Sequence, residues 1–273
     1  MVDILLRIQD KDGNILLEKR GTDEVSLVYK MEYNEGDMIV LETIPTNQHI
    51  LWQVDDALGS AMCYVTGPVT YQIPFEEKKR VYSPKTFSGS KHYLFARIVE
   101  ADEIATYRNL AVNVNDQHDV DTCFPHATAN VETRGESVFA AKNAIDGVTE
   151  NHGHGSWPYA SWGINRDPKA EMKIDFGRKV ITDCVKVYLR ADFPHDSWWT
   201  EAAITFSDGS TEILKLVKTD KAQTFHFSTR EIEWLTFGSL IKAEDESPFP
   251  ALTQLEIYGV DKTIRAKLCR DLS

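Results

Sequence analysis

The chain has 273 residues, 42% hydrophobic and 26% charged, with 12 Phe, 10 Tyr and 6 Trp, enough apolar mass for one large domain or two ordinary ones. Its formal charge of −12, with no basic stripe to offset it, repels nucleic acid and anionic membrane surfaces. No stretch approaches the roughly 20 apolar residues that span a bilayer, so neither nucleic-acid binding nor membrane insertion is expected.

The opening M-V-D-I-L-L-R-I-Q-D carries charge at positions 3 and 7 and lacks the apolar run of a signal peptide. The expected location is cytoplasmic, with an extracellular one open if a leader was removed. From there strand signals dominate. Residues 4–8, 15–17, 25–31, 38–43, 63–65, 69–73 and 93–99 form short runs rich in Val, Ile, Tyr and Phe, mostly alternating. Turn chemistry separates them, as in Asp12-Gly13-Asn14 and Asn34-Glu35-Gly36-Asp37. Residues 100–107 could make one or two helical turns. Residues 107–113, Y-R-N-L-A-V-N, read as a connector seating one half on the other. The polar, aperiodic stretch 113–124 marks a boundary.

Beyond the boundary, residues 136–145 predict two or three helical turns ended by Asp146-Gly147. Strands follow at 171–176, 184–189, 202–206, 211–216, 224–227, 232–237 and 254–258. Asp208-Gly209, which suits the positive φ of a tight hairpin, makes 204–216 the cleanest hairpin in the chain. Many short strands with few helices predict an all-β protein of two β-sandwich domains, residues 1–112 and 124–260, followed by a charged tail, 261–273. The four cysteines, Cys63, Cys123, Cys184 and Cys269, form no C-x-x-C pair and read as free thiols.

The loop from Asn143 to Trp162, N-A-I-D-G-V-T-E-N-H-G-H-G-S-W-P-Y-A-S-W, crowds oxygen donors, imidazoles and indoles together. Such a mixture suits a small polar ligand with an apolar face. A-T-A-N-V-E and A-A-K-N-A-I-D-G are followed by this Trp-bearing loop, A-S-W-G, E-M-K-I-D-F-G-R, V-K-V-Y-L-R and L-T-Q-L-E-I-Y-G-V. In that order they resemble the discoidin-type (coagulation-factor C-type, galactose-binding-like) domain, a fold shared by many bacterial carbohydrate-binding modules. The resemblance covers about half the chain. It implies an eight-stranded jelly roll with ligand on rim loops and a structural calcium beneath them. The first half, through Y-N-E-G-D-M-I-V-L-E-T, W-Q-V-D-D-A-L and F-S-G-S-K-H-Y-L-F-A-R, is loosely similar to a second galactose-binding-like sandwich.

By resemblance, the Asp146 carboxylate, the Asn143 and Val148 main-chain carbonyls and a side-chain oxygen of Asn151 or Thr149 would hold the calcium, which takes six to eight oxygens. The family places an acidic ligand in its last strand. This chain has Gln254 there, with Glu256 on the same strand face. The alternative is that Asp146-Gly147 is only a turn.

A pyranose stacks its C–H face on an aromatic ring and bonds its hydroxyls to fixed polar groups. His154 and Trp157 carry an H-x-x-W spacing seen in some family members, and Arg190 ends the strand where the family often places an arginine. Asp192, His195, Asp196, Trp198 and Trp199 crowd the loop that follows. Each has a plainer alternative: Trp162 under the sandwich, one of Trp198 and Trp199 in the core, Arg190 bridging to Asp192 or Asp196. In the first half, Trp52, His49, His92 and Arg97 read as core or interface residues.

The leading expectation is a non-catalytic carbohydrate-binding protein of modest affinity, since shallow rims bury little of a ligand. The second is a sugar lyase or hydrolase with His195, Asp196, Asp192 or Glu201 as acid and base and Arg190 neutralising a carboxylate, although no H-E-x-x-H, G-x-S-x-G or P-loop occurs. The third is a protein-interaction module that uses the same aromatic loop. Homo-oligomerisation stays open.

Overall fold

The computed structural model describes residues 1–191 and 197–262, and it is almost entirely antiparallel β. In the first half the strands are β1 (Asp3–Gln9), β2 (Ile15–Thr22), β3 (Glu24–Tyr29), β4 (Met38–Ile44), β5 (Gln48–Gln53), β6 (Ser60–Val65), β7 (Val69–Gln72) and β8 (His92–Ile98). One sheet runs β2-β1-β4-β7, and a second runs β6-β5-β8-β3. Alternate residues of each point inward, as the two-residue period of a strand requires; β3 alternates exposed and buried without exception. Ile4, Leu6, Ile39, Leu41 and Tyr71 from one sheet meet Leu27, Ile50, Trp52, Cys63 and Leu94 from the other in one core. The sequence reading missed β5, whose inward residues Ile50 and Trp52 are separated by a half-buried leucine.

Helix α1 (Ala101–Ala105) lies within the expected 100–107 segment. It starts at a capping box in which the Glu103 side chain accepts the Glu100 N–H. Two short strands follow, β9 (Arg108–Asn109) and β10 (Cys123–Phe124). The second half contains β11 (His126–Ala129), β12 (Trp162–Gly163), β13 (Met172–Leu189), β14 (Trp199–Phe206), β15 (Thr211–Lys215), β16 (Gln223–Lys242) and β17 (Ala251–Asp261). Their order is β12-β17-β13-β16-β14-β15, with β11 on β13.

Two pairs of expected strands are each one long strand, β13 and β16. In β13 the register breaks between Asp175 and Val180, around Gly177 at φ 64°. Before the break β13 pairs with β11, and after it with β17. One strand thus serves both faces of the sandwich around a core of Trp162, Ile174, Phe176, Val187, Trp199, Phe206 and Phe237. The expected helix at 136–145 is instead two short 3-10 helices, Ser137–Phe139 and Ala141–Ile145.

The boundary stretch is not a solvated linker. Asn113, Asn115 and Asp116 are buried. Asn113 donates to the Pro125 carbonyl at 2.8 Å, Asn115 to the Trp52 carbonyl at 2.9 Å, and Asp116 accepts from His126 at 2.7 Å. These side chains satisfy backbone groups that the meeting of two sandwiches buries. The strands also cross over. β9 pairs with β17 of the second half, whereas β10 returns to pair with β6 of the first before β11 joins the second for good. Among the described residues no helix is long and apolar enough to cross a membrane, and Cys63, Cys123 and Cys184 are free, buried thiols.

Candidate functional site

One end of the second sandwich gathers the loop of residues 146–161, the end of β13 and the start of β17. The Trp162 indole N–H donates to the Val131 carbonyl at 3.0 Å, and its ring meets Phe237 edge-on at 6.5 Å. That indole anchors the loop's far end in the core. Nearer the tip, the buried Asn151 donates to the Leu189 carbonyl at 3.0 Å. Arg190, the residue just after β13, donates to the Gly153 carbonyl. The Tyr159 ring packs on Gly153 so closely that a Cβ there would sit 2.8 Å from it.

The first sandwich holds the same loop from the other side. Its 3-10 helix Glu76–Val81 presents Arg80, whose carbonyl accepts the Trp157 N–H at 2.6 Å while its guanidinium donates to the Gly155 carbonyl. Glu77 accepts the Ser137 N–H at 2.8 Å, and Val81 and Tyr82 pack on Val138 and Ala160 in a small apolar cluster. Sequence reasoning missed Arg80 and Glu77. They lie in a charged run, E-E-K-K-R, with no local signal that it would meet a loop some 75 residues away.

Trp157 stands 43% exposed on this doubly held loop, with His152 and His154 exposed nearby. His152 bonds Glu150 at 2.5 Å and holds that carboxyl below the usual range. Other expected contacts are placed differently. Arg190 is only 1% exposed, because its guanidinium turns inward under the loop, so it positions Gly153 instead of lining the surface. Trp199 is core, and Trp198 is half-buried against it. Asp192, His195 and Asp196 lie outside the described residues, and Glu201 pairs with Lys215. Phe249, which the sequence did not single out, is exposed at this end with the Arg166 guanidinium 4.4 Å over its ring. In the first half Trp52 is buried, His92 bonds Asp55, Arg97 pairs with Glu103, and His49 bonds Asp261.

The residues expected to hold calcium do not fit a divalent ion. The Gln254 amide N–H2 donates to the Asn143 carbonyl at 2.6 Å and to Asp146 Oδ1 at 2.6 Å, so a donor faces two of the expected ligand oxygens. Asp146 also accepts the Val148 N–H at 2.8 Å. Asn151 gives its amide to Leu189, and Glu256 bonds Tyr258 at 3.1 Å beside Lys186. Burial is the main reason that Asp146 is pushed up to about 7. Among the described residues no three His, Cys, Asp or Glu side chains group as metal ligands.

Neither family models nor curated proteins match the chain. Among solved structures it is similar to the family 32 carbohydrate-binding module of C. perfringens NanJ in complex with galactose, at 18% identity over 48% of this chain and 91% of that one, with a TM-score of 0.38. It is similar to chitosan-binding module 1 of a chitosanase/glucanase from Paenibacillus sp. IK-5, at 19% identity over 55% and 98% of the two chains, with a TM-score of 0.37. The lectin domain of Lectinolysin complexed with Lewis B antigen matches at 15% identity over 55% and 96%, with a TM-score of 0.40.

Proposed function

We propose that this is a non-catalytic carbohydrate-binding protein that takes a mono- or oligosaccharide on the rim of its second sandwich. The observation that carries the reading is Trp157: a half-exposed indole on a loop held by Asn151 and Arg190 beneath and by Arg80 beside. A backbone already held at Trp157 presents its indole to a sugar ring without first ordering the loop, which lowers the cost of binding. His154, exposed three residues earlier on the same loop, offers a hydroxyl partner, and Arg190 acts by holding Gly153. The rim is open, so binding should be modest and should depend strongly on this one aromatic plate.

The test is a glycan array on the whole chain, followed by calorimetry on the best ligand with the wild type and Trp157→Ala. The variant should bind at least about tenfold more weakly, near 1.4 kcal/mol, with an unchanged melting temperature. A wild type that binds no glycan, or a variant that binds as well as the wild type, would overturn the proposal.

A further inference from the structure

We infer that the Gln254 side chain replaces a cation in the loop of residues 143–151, so that the rim above it needs no divalent metal. An ion there would draw the Asn143 carbonyl and the Asp146 carboxylate together. The amide does so instead, with one N–H to each at 2.6 Å. Its oxygen accepts the Gly147 N–H at 3.0 Å. That last bond decides which way the amide faces. Flipped, it would set N–H against N–H at Gly147 and oxygen against oxygen at Asn143 and Asp146.

Charge points the same way. Among the described residues Asp146 is the one carboxylate that the Gln254 amide touches, and the Lys142 ammonium attracts it. Lys142 is held in turn against Tyr82 of the first sandwich, 4.6 Å from the ring centroid and 3.3 Å from the hydroxyl. A divalent ion would have to displace two donors and sit beside a lysine, with one carboxylate to balance it, whereas calcium sites bind through oxygen and gain affinity with ligand charge. Gln254 is 2% exposed in the middle of this network, and both its nitrogen protons and its oxygen are engaged, so the loop is closed by hydrogen bonds alone.

The substitution Gln254→Glu supplies the test. It exchanges the donor for a second carboxylate and leaves three oxygens converging with nothing between them. Thermal unfolding of the full chain is measured in chelator and in millimolar calcium chloride, alongside terbium luminescence excited through tryptophan. The wild type should melt at the same temperature in both and show no sensitised terbium signal. Gln254→Glu should melt several degrees lower in chelator, recover with calcium as mass action on the folded state requires, and acquire a terbium signal. A wild type that gains several degrees with calcium, or binds terbium stoichiometrically, overturns the inference. If Gln254→Glu does not fold, the wild-type measurements decide alone. The readouts are melting and metal uptake, so the outcome stands apart from whether any glycan binds.

Discussion

At the scale of single residues, similar side chains have opposite roles according to what surrounds them. Trp157 follows Gly-His-Gly-Ser and stays at the surface, whereas Trp162 and Trp199 are sealed in the core against Phe237. Trp162→Ala should therefore lose about 3–5 kcal/mol of stability in a denaturant titration, where Trp157→Ala loses almost none. Gly177 is a second residue with a definite requirement. It combines φ 64° with a neighbour so close that a Cβ would fall 2.3 Å from the Phe124 ring of the returning strand β10. Gly177→Ala should cost about 2 kcal/mol by the same measurement, through backbone strain and overpacking together. An unchanged midpoint would mean that β10 yields easily.

At the scale of elements, the rim loop belongs to both sandwiches. It is pinned at the end of β13 through Leu189 and the following Arg190, and by the Glu76–Val81 helix through Arg80. Removing the Arg80 guanidinium leaves the carbonyl bond to Trp157 but frees Gly155. Arg80→Ala should speed amide hydrogen exchange across residues 153–159 and weaken glycan binding about fivefold, near 1 kcal/mol, while the second sandwich stays folded. Exchange unchanged from the wild type would show that β13 alone fixes the loop. Elements with local chemistry were legible. The 204–216 hairpin carries its own Asp-Gly turn, with Gly209 at φ 85°, and α1 its own capping box. The long strands β13 and β16 were not, because irregular pairing interrupts their alternation midway.

At the scale of the whole molecule, β9 and β10 each pair with the opposite sandwich from the one a simple linker would serve, and the seam between them is buried and polar. Separating the halves would strand the hydrogen-bonding groups of Asn113, Asn115 and Asp116, so calorimetry should show one cooperative transition instead of two. A second lock lies at Asp261, which is fully buried and bonded by His49 at 2.9 Å and by Arg178. Burial would raise its pKa, but the His49 hydrogen bond and the Arg178 charge outweigh burial and hold the carboxyl well below the ordinary value. A depressed carboxyl stabilises the fold above its unfolded pKa, near 4, and that contribution fades as pH falls below it. The wild-type melting temperature should drop below about pH 4, and Asp261→Asn should be destabilised at pH 7 by about 3 kcal/mol with a flatter acid limb. Equal acid slopes in the two proteins would remove Asp261 from the seam's stability.

The amino-acid sequence by itself determined the fold class, most strands, and the loop that carries the exposed indole. Two-residue periodicity, Asp-Gly turns and an aromatic set among polar neighbours are local properties that survive without neighbours in space. Only the tertiary structure decided that Arg190 faces inward, that Arg80 reaches the rim, and that Asn113, Asn115 and Asp116 are interior. It alone placed the Gln254 amide between Asn143 and Asp146. Each of these depends on where a partner more than 10 residues away comes to lie. Burial and hydrogen bonding are set by that meeting, and no single stretch of chain encodes it.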